Sequence, residues 1–246
     1  MDIGVFIFDT DYSINISELA RELEERGYES LFVPEHTHIP TSRRSPFPGG
    51  GELPKQYSHT LDPFVSLGFA AASTKNLKIG TGICLLPQRD PIVTAKSIAS
   101  LDLMSEGRFV LGLGGGWNVD EMENHGVTYK TRFAMMKEHV LAMKSLWVDE
   151  EAEFHGEYIN FDKSWAYPKP VQKPYPPILM GGETDYTLKR VVDYCDGWFP
   201  RGRGGFDAGE SMQRLKNMAA ESGRDMNTLS VSVFGAPPNE EMMNSY

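Results

Sequence analysis

Cysteine is scarce, with two in 246 residues. Cys84 and Cys195 lie far apart in unlike surroundings, which argues against a disulfide framework or a zinc knuckle, and reduced thiols suit a cytoplasmic protein. Long hydrophobic runs are missing too. None approaches the ~20 apolar residues of a spanning helix, so no membrane role is expected. The opening Met1-Asp2-Ile3-Gly4 has neither the basic start nor the small-residue cleavage site of a secretory signal, and the chain reads as cytoplasmic. Basic residues are outnumbered, 24 Lys and Arg against 34 Asp and Glu for a net charge of −10. Phosphate backbones are bound by clustered cations, so no nucleic-acid partner is expected, and a small-molecule substrate is the default.

What is present is a repeated strand and helix grammar. Asp2 to Phe8 is a near-continuous apolar run of the kind found in parallel strands covered on both faces. Ile16, Leu19, Ala20 and Leu23 then recur at helical spacing behind a cap at Ser13 or Asn15, until Gly27 stops the helix. Further strands are predicted at 30–34, 77–83, 107–112, 177–180, 197–200 and 229–234. Helices are predicted at 63–73, 91–104, 132–147, 184–194 and 209–222. Residues 35–60 form a long loop rich in Pro and Gly, expected to act as a lid, and the proline- and aromatic-rich 148–176 reads as an insertion. The alternation predicts one α/β domain over residues 1–246, a barrel or a doubly wound sheet. Seven strands are counted where a TIM (β/α)8 barrel has eight. One strand is missed, the barrel is open, or the chain is incomplete at Tyr246.

Chemistry in such barrels gathers where strands end. Glu35 and His36 follow the second strand, a carboxylate beside an imidazole that suits acid/base work or hydrogen bonding to a ring. A solvated loop is the plain alternative. His36-Thr37-His38 has the form of a metal-hydrolase motif, but His59, His125, His139 and His155 do not fall at predicted strand ends, so no metal is expected. Gly82, Ile83 and Cys84 follow the third strand. Gly114, Gly115, Gly116, Trp117 and Asn118 follow the fourth; their glycines admit a flat ligand close to the backbone, although the dinucleotide spacing is absent. Gly181 and Gly182 precede a helix and present N–H groups to a phosphate or simply make a tight turn, with Glu183 and Asp185 weighing against an anion. Arg201 and Arg203 follow the sixth strand as cations for an anionic tail or as solvated loop residues.

The stretches Phe32-Val33-Pro34-Glu35-His36-Thr37-His38-Ile39-Pro40, Gly80-Thr81-Gly82-Ile83-Cys84-Leu85, Gly107 to Asn118, and Pro177-Ile178-Leu179-Met180-Gly181-Gly182 together resemble the luciferase-like superfamily, most closely its bacterial deazaflavin-dependent branch. The resemblance implies a TIM (β/α)8-type barrel, here possessing seven recognisable strands, and a cofactor, coenzyme F420, with FMN as the alternative. It implies a non-proline cis peptide at Gly82–Ile83 supporting the ring, His36 and Glu35 near that ring, Gly114 to Asn118 approaching the cofactor, and Gly181-Gly182 on its phosphate. The oligoglutamate tail of F420 then calls for cations, for which Arg43, Arg44, Arg201 and Arg203 are available. The expected activity is hydride transfer between F420 and a small organic substrate, with His36 or Glu35 as proton donor or orienting group. An FMN-dependent monooxygenase and a non-catalytic flavin-binding barrel are the alternatives. A homo-oligomer, a dimer, is expected, with a partner subunit covering an open edge.

Overall fold

The computed structural model describes residues 2–202, 206–236 and 239–243. Strands β1 (Gly4–Phe6), β2 (Ser30–Val33) and β3 (Lys78–Thr81) alternate with helices α1 (Ile16–Glu25), α2 (Pro63–Ala72) and α3 (Pro91–Met104). β4 (Phe109–Leu113) leads into a short α4 (Val119–Asn124) and the long α5 (Arg132–Val148). A hairpin, β5 (Ala152–His155) and β6 (Asn160–Ser164), intervenes. The alternation then resumes with β7 (Ile178–Gly181), α6 (Asp185–Tyr194), β8 (Gly197–Phe199), α7 (Ala208–Ser222), β9 (Ser230–Val231) and α8 (Glu240–Met243).

Local chemistry sets these boundaries. Asp62 before Pro63 and Asp90 before Pro91 cap α2 and α3, each carboxylate accepting first-turn N–H groups while the proline pre-sets the backbone. Without a proline, the Thr184 hydroxyl and the Asp207 carboxylate cap α6 and α7 by accepting the Thr187 and Glu210 N–H groups.

The seven strands read from the sequence form one parallel sheet in the order β1-β2-β3-β4-β7-β8-β9. It curls into a barrel wall that is open between β1 and β9 among the described residues. The rings of Phe6 and Phe234 meet across that gap with centroids 5.6 Å apart. Large rings inside are matched by glycines on other strands. A Cβ on Gly80 would lie 2.3 Å from the Phe32 ring, and one on Gly112 would lie 3.0 Å from that of Phe199. Phe32 and Phe199 themselves pack at 5.1 Å, so the interior is a filled core and not a pore.

At the N-terminal end of the barrel, Arg108 donates to the carbonyls of Ala71, Thr74, Leu77 and Ser105 and to the Thr74 hydroxyl. One guanidinium thereby ties the ends of α2 and α3 to the start of β3. Within the stretch 148–176, read from the sequence as an insertion, β5 and β6 pair antiparallel. None of the described helices is long and apolar enough to cross a membrane.

Candidate functional site

β2 delivers Glu35 and His36 to the C-terminal mouth, and their side chains diverge. Glu35 is buried, accepting from the Leu85 N–H at 2.8 Å and from Arg89 through Nε at 2.6 Å and Nη2 at 2.5 Å. Arg89 also reaches Asp62 at 2.7 Å. Burial alone would lower the Arg89 pKa, but the Glu35 carboxylate outweighs it and holds the guanidinium charged. Glu35, expected from the resemblance to lie near a ring, thus has both carboxylate oxygens engaged within the protein. Its lone pairs are committed to the α3 side of the wall, where it locks the turn after β3.

His36 is oriented from behind. Its Nδ1 lies 2.8 Å from Oε2 of Glu121, whose other oxygen accepts from the Thr37 N–H at 3.1 Å. Glu121 is fully buried, and its position follows from α4, where the Asn118 side chain caps the helix by accepting the Glu121 N–H. A carboxylate at Nδ1 selects the Nδ1–H tautomer and leaves Nε2 as the nitrogen open to a ligand. The Thr60 hydroxyl donates to the His36 carbonyl at 2.8 Å, tying the far end of the lid to the same residue.

The loop 35–60 folds over this group. Phe47 and Tyr57 pack with centroids 5.2 Å apart, Tyr57 lies 5.3 Å and Trp117 5.8 Å from the His36 ring, and His36 keeps 8% of its surface exposed. The loop is moored on α4. The Ser42 hydroxyl donates to Asp120, Arg44 pairs with Asp120 and Glu123, and the Val119 N–H donates to Ser45 Oγ. The Ser42 bond foremost, reinforced by Arg44, holds the Asp120 carboxyl below its usual range. Arg44 is therefore occupied as a lid anchor and is not free for an anionic tail. Arg43 has a positive φ of 50° and a buried Nη1 without a hydrogen-bond partner.

The turn after β3 contains a cis peptide between Gly82 and Ile83, at the bond the resemblance implied. Ile83 explains two of the glycines. A Cβ on Gly114 would lie 2.1 Å, and one on Gly181 3.2 Å, from its side chain. Their bareness makes room for Ile83 first, whatever a ligand requires. Gly115 faces the Phe133 ring, and Gly116 and Gly182 have φ of 73° and 118°, which favour glycine. Cys84 is buried in the hydrophobic core, and burial foremost, with Glu35 beside it, pushes its thiol well above the usual value. Only its backbone is placed for contact at the mouth. Asn118 has its Nδ2 buried without a partner, as are both amide atoms of Gln88; Gln88 Nε2 would lie 3.6 Å from a Cβ on Gly116.

Arg201 is claimed by Glu183. Its Nε and Nη2 fork onto the carboxylate at 2.9 and 2.8 Å and its N–H adds a third bond at 3.0 Å. Burial pushes the Glu183 carboxyl up, but the Arg201 bonds outweigh it and leave it lowered. Both halves of the sequence argument change: Arg201 is not a free cation, and Glu183 is neutralised instead of repelling an anion at α6. Asp185 is likewise paired, with Arg214 at 2.6 Å. Arg203 lies outside the described residues.

Sequence reasoning missed Glu121, Arg89, Tyr57 and Phe47. Only Glu121 left a trace, because Asn118-Val119-Asp120-Glu121 has capping-box spacing. His125, which does not fall at a strand end, caps the C-terminus of α4, and its ring lies 5.6 Å from that of His38, joined through the Thr37 hydroxyl. Among the described residues no group of three or more His, Cys, Asp or Glu is placed to hold a metal.

The comparisons with known proteins agree with this barrel. An uncharacterised protein of Mycobacterium tuberculosis (strain ATCC 25618 / H37Rv) is 42% identical over 229 residues, 92% of this chain and 80% of that protein. The F420-dependent hydroxymycolic acid dehydrogenase of the same strain is 29% identical over 175 residues, 70% of this chain and 48% of that one. The crystal structure of monooxygenase RslO1 from Streptomyces bottropensis superposes with a TM-score of 0.80 at 22% identity, covering 95% of this chain and 70% of its own. The luciferase-like monooxygenase family model matches residues 1–238, and the chain belongs to that family of oxidoreductases.

Proposed function

We propose that the chain is a coenzyme F420-dependent oxidoreductase that passes a hydride between the deazaflavin and a small organic substrate. The observation that carries this reading is the buried His36–Glu121 pair at 2.8 Å, set under Trp117 and Tyr57 at the C-terminal mouth. The surroundings fit a tricyclic ring with polar edges. Aromatic side chains offer an apolar wall, and the amides of Gln88 and Asn118 retain unmet hydrogen-bonding capacity at a cost of about 1–3 kcal/mol per buried group. Gly116 and Gly182 turn the backbone at positive φ on either side. The F420-dependent relative supports deazaflavin over FMN.

Bound deazaflavin supplies a ring carbon that gives or accepts a hydride. The protein's part is proton handling and exclusion. Glu121 holds His36 so that Nε2 meets the substrate atom that gains or loses the proton as the hydride moves. Phe47, Tyr57 and Trp117 shield that atom from water, and the anchoring of the lid on Asp120 and Glu123 keeps them there. Glu35 acts at one remove by fixing the Leu85 turn and Arg89.

An anaerobic assay tests this by following deazaflavin absorbance against a panel of alcohols and carbonyl compounds. Turnover without oxygen uptake is expected, with His36→Ala lowering turnover far more than cofactor affinity. Oxygen consumption in step with reduced FMN, and none of the deazaflavin chemistry, would replace the reading with an FMN-dependent monooxygenase.

A further inference from the structure

The spacing His36-Thr37-His38 finds no further histidine at a strand end, and on that ground no metal is expected from the sequence. The fold gives its second histidine a different partner. Thr37 and His38 open the loop after β2, while α4 ends at Asn124 with His125 as its C-cap. Nδ1 of His38 lies 3.0 Å and Nε2 of His125 2.7 Å from one atom, the Thr37 hydroxyl oxygen, so two imidazole nitrogens converge on a single point. The ring centroids are 5.6 Å apart, with the planes inclined at 57°. Two imidazoles that share a tetrahedral ion through bonds of about 2.0–2.1 Å hold their centres about 5 Å apart. An approach of about half an ångström closes the difference. The Asn124 amide lies 2.8 Å from Nε2 of His38; with its oxygen turned inward it accepts the Nε2–H and leaves the Nδ1 lone pair facing the point of convergence. His125 is exposed and His38 half-buried, so ions reach the pair from solvent. The net charge of −10 draws cations to the surface.

We propose that His38 and His125 form a surface site for a divalent transition ion of the imidazole-binding class, seated where the Thr37 hydroxyl joins the two rings. Water completes the shell, because among the described residues no third His, Cys, Asp or Glu reaches the point. Zinc, nickel and copper suit two imidazoles, with copper held most tightly, whereas magnesium and calcium seek oxygen ligands and are rejected. The open shell makes this a reversible site of micromolar affinity and not a closed structural one. The ion braces the base of the lid against the end of α4. Glu121 already bridges these two segments from the buried side, through the Thr37 N–H and His36, so the ion adds a second tie on the outer side without entering the mouth. The site is independent of which cofactor the mouth holds.

The test titrates the full chain, free of any polyhistidine tag, with Ni2+, Zn2+ and Mg2+ by calorimetry, beside His38→Gln, His125→Gln and the double variant, with circular dichroism checking the fold. One Ni2+ or Zn2+ per chain and no Mg2+ are expected, and each single substitution should weaken binding about tenfold or more. Ni2+ at about 100 times its Kd should raise the melting temperature of the parent by about 5 °C or more and leave that of the double variant unchanged. Paramagnetic Ni2+ should broaden the ring signals of His38 and His125 before those of His59 and His155, which also reach the surface. Binding that persists undiminished in the folded double variant overturns the site. Broadening that begins at His59 or His155, Mg2+ held as tightly as Ni2+, or a parent that binds neither Ni2+ nor Zn2+ overturns it equally.

Discussion

Replacing Glu121 by Gln probes how His36 is presented. Glu121 accepts two hydrogen bonds, one from His36 Nδ1 at 2.8 Å and one from the Thr37 N–H at 3.1 Å. Glutamine has a single acceptor oxygen. The Thr37 amide can only donate, so it takes that oxygen, and the NH2 group is left facing His36. The imidazole can adapt, because its other neutral tautomer accepts at Nδ1 and carries the proton on Nε2. Both hydrogen bonds survive in that arrangement, so Glu121→Gln should cost no more than about 1 kcal/mol while reversing the tautomer of His36. Glu121→Leu offers no acceptor and strands two buried donors at about 1–3 kcal/mol each, or at least several degrees of melting temperature at about 2–4 °C per kcal/mol in a chain of this size. Nitrogen-15 NMR of the histidine rings reads the tautomer, and denaturant titration reads the stability. An unchanged Nδ1–H tautomer in the Gln variant, or a Leu variant as stable as the parent, would refute the reasoning.

Arg89→Leu leaves the Glu35 carboxylate buried without a cation, with the Leu85 N–H and the Cys84 thiol as partners, and should destabilise by about 3–5 kcal/mol in denaturant titrations, with most of the loss recovered by adding Glu35→Leu; a double variant no more stable than the single one contradicts this. Burial foremost holds the His139 imidazole below its ordinary value of 6.5. The unfolded chain then takes up the proton first as pH falls, so this contribution is complete above about 6.5 and is lost toward the lower folded value. His139→Gln should flatten the stability difference between about pH 7.5 and about pH 5.5, and a slope equal to that of the parent would count against it. Finally, α2 carries no charged side chain and exposes Val65 and Phe69 by 61% and 63% beside a groove of about 460 Å3 between α2 and α3. Ile92, Val93 and Met104 continue the apolar face on α3. An apolar surface helix calls for cover, and the matching face of a second copy supplies it, the Asp62 and Arg89 of the groove wall being already paired with each other. We propose a homodimer there, which light scattering should detect and Phe69→Glu should dissociate; a parent that is monomeric at micromolar concentration rules it out.

The parts of this molecule written in consecutive residues were legible. The apolar runs ending at Phe8, Pro34 and Pro200, and the Asp-Pro steps at Asp62 and Asp90, encode strands and helix starts locally, and the structure follows them within a few residues. The position of His36 at a strand end was equally plain. What was not legible depends on partners distant in sequence. Glu121 is 85 residues from His36 and Arg89 is 54 from Glu35, so no local pattern reveals that one member of the Glu35-His36 pair is locked into the wall while the other is aimed at the mouth. Nor does any local pattern show that Arg201 is paired with Glu183, or Arg44 with Asp120 and Glu123. The β5–β6 hairpin escaped because β6, Asn-Phe-Asp-Lys-Ser, is mostly exposed and lacks the apolar alternation of a half-buried strand.

The central claim is that this mouth holds a deazaflavin. The most direct measurement is a side-by-side titration of the full chain with oxidised F420 and with FMN, following cofactor fluorescence at low salt. The account predicts saturable binding of F420 in the micromolar range and clearly weaker binding of FMN; a preference for FMN would contradict it.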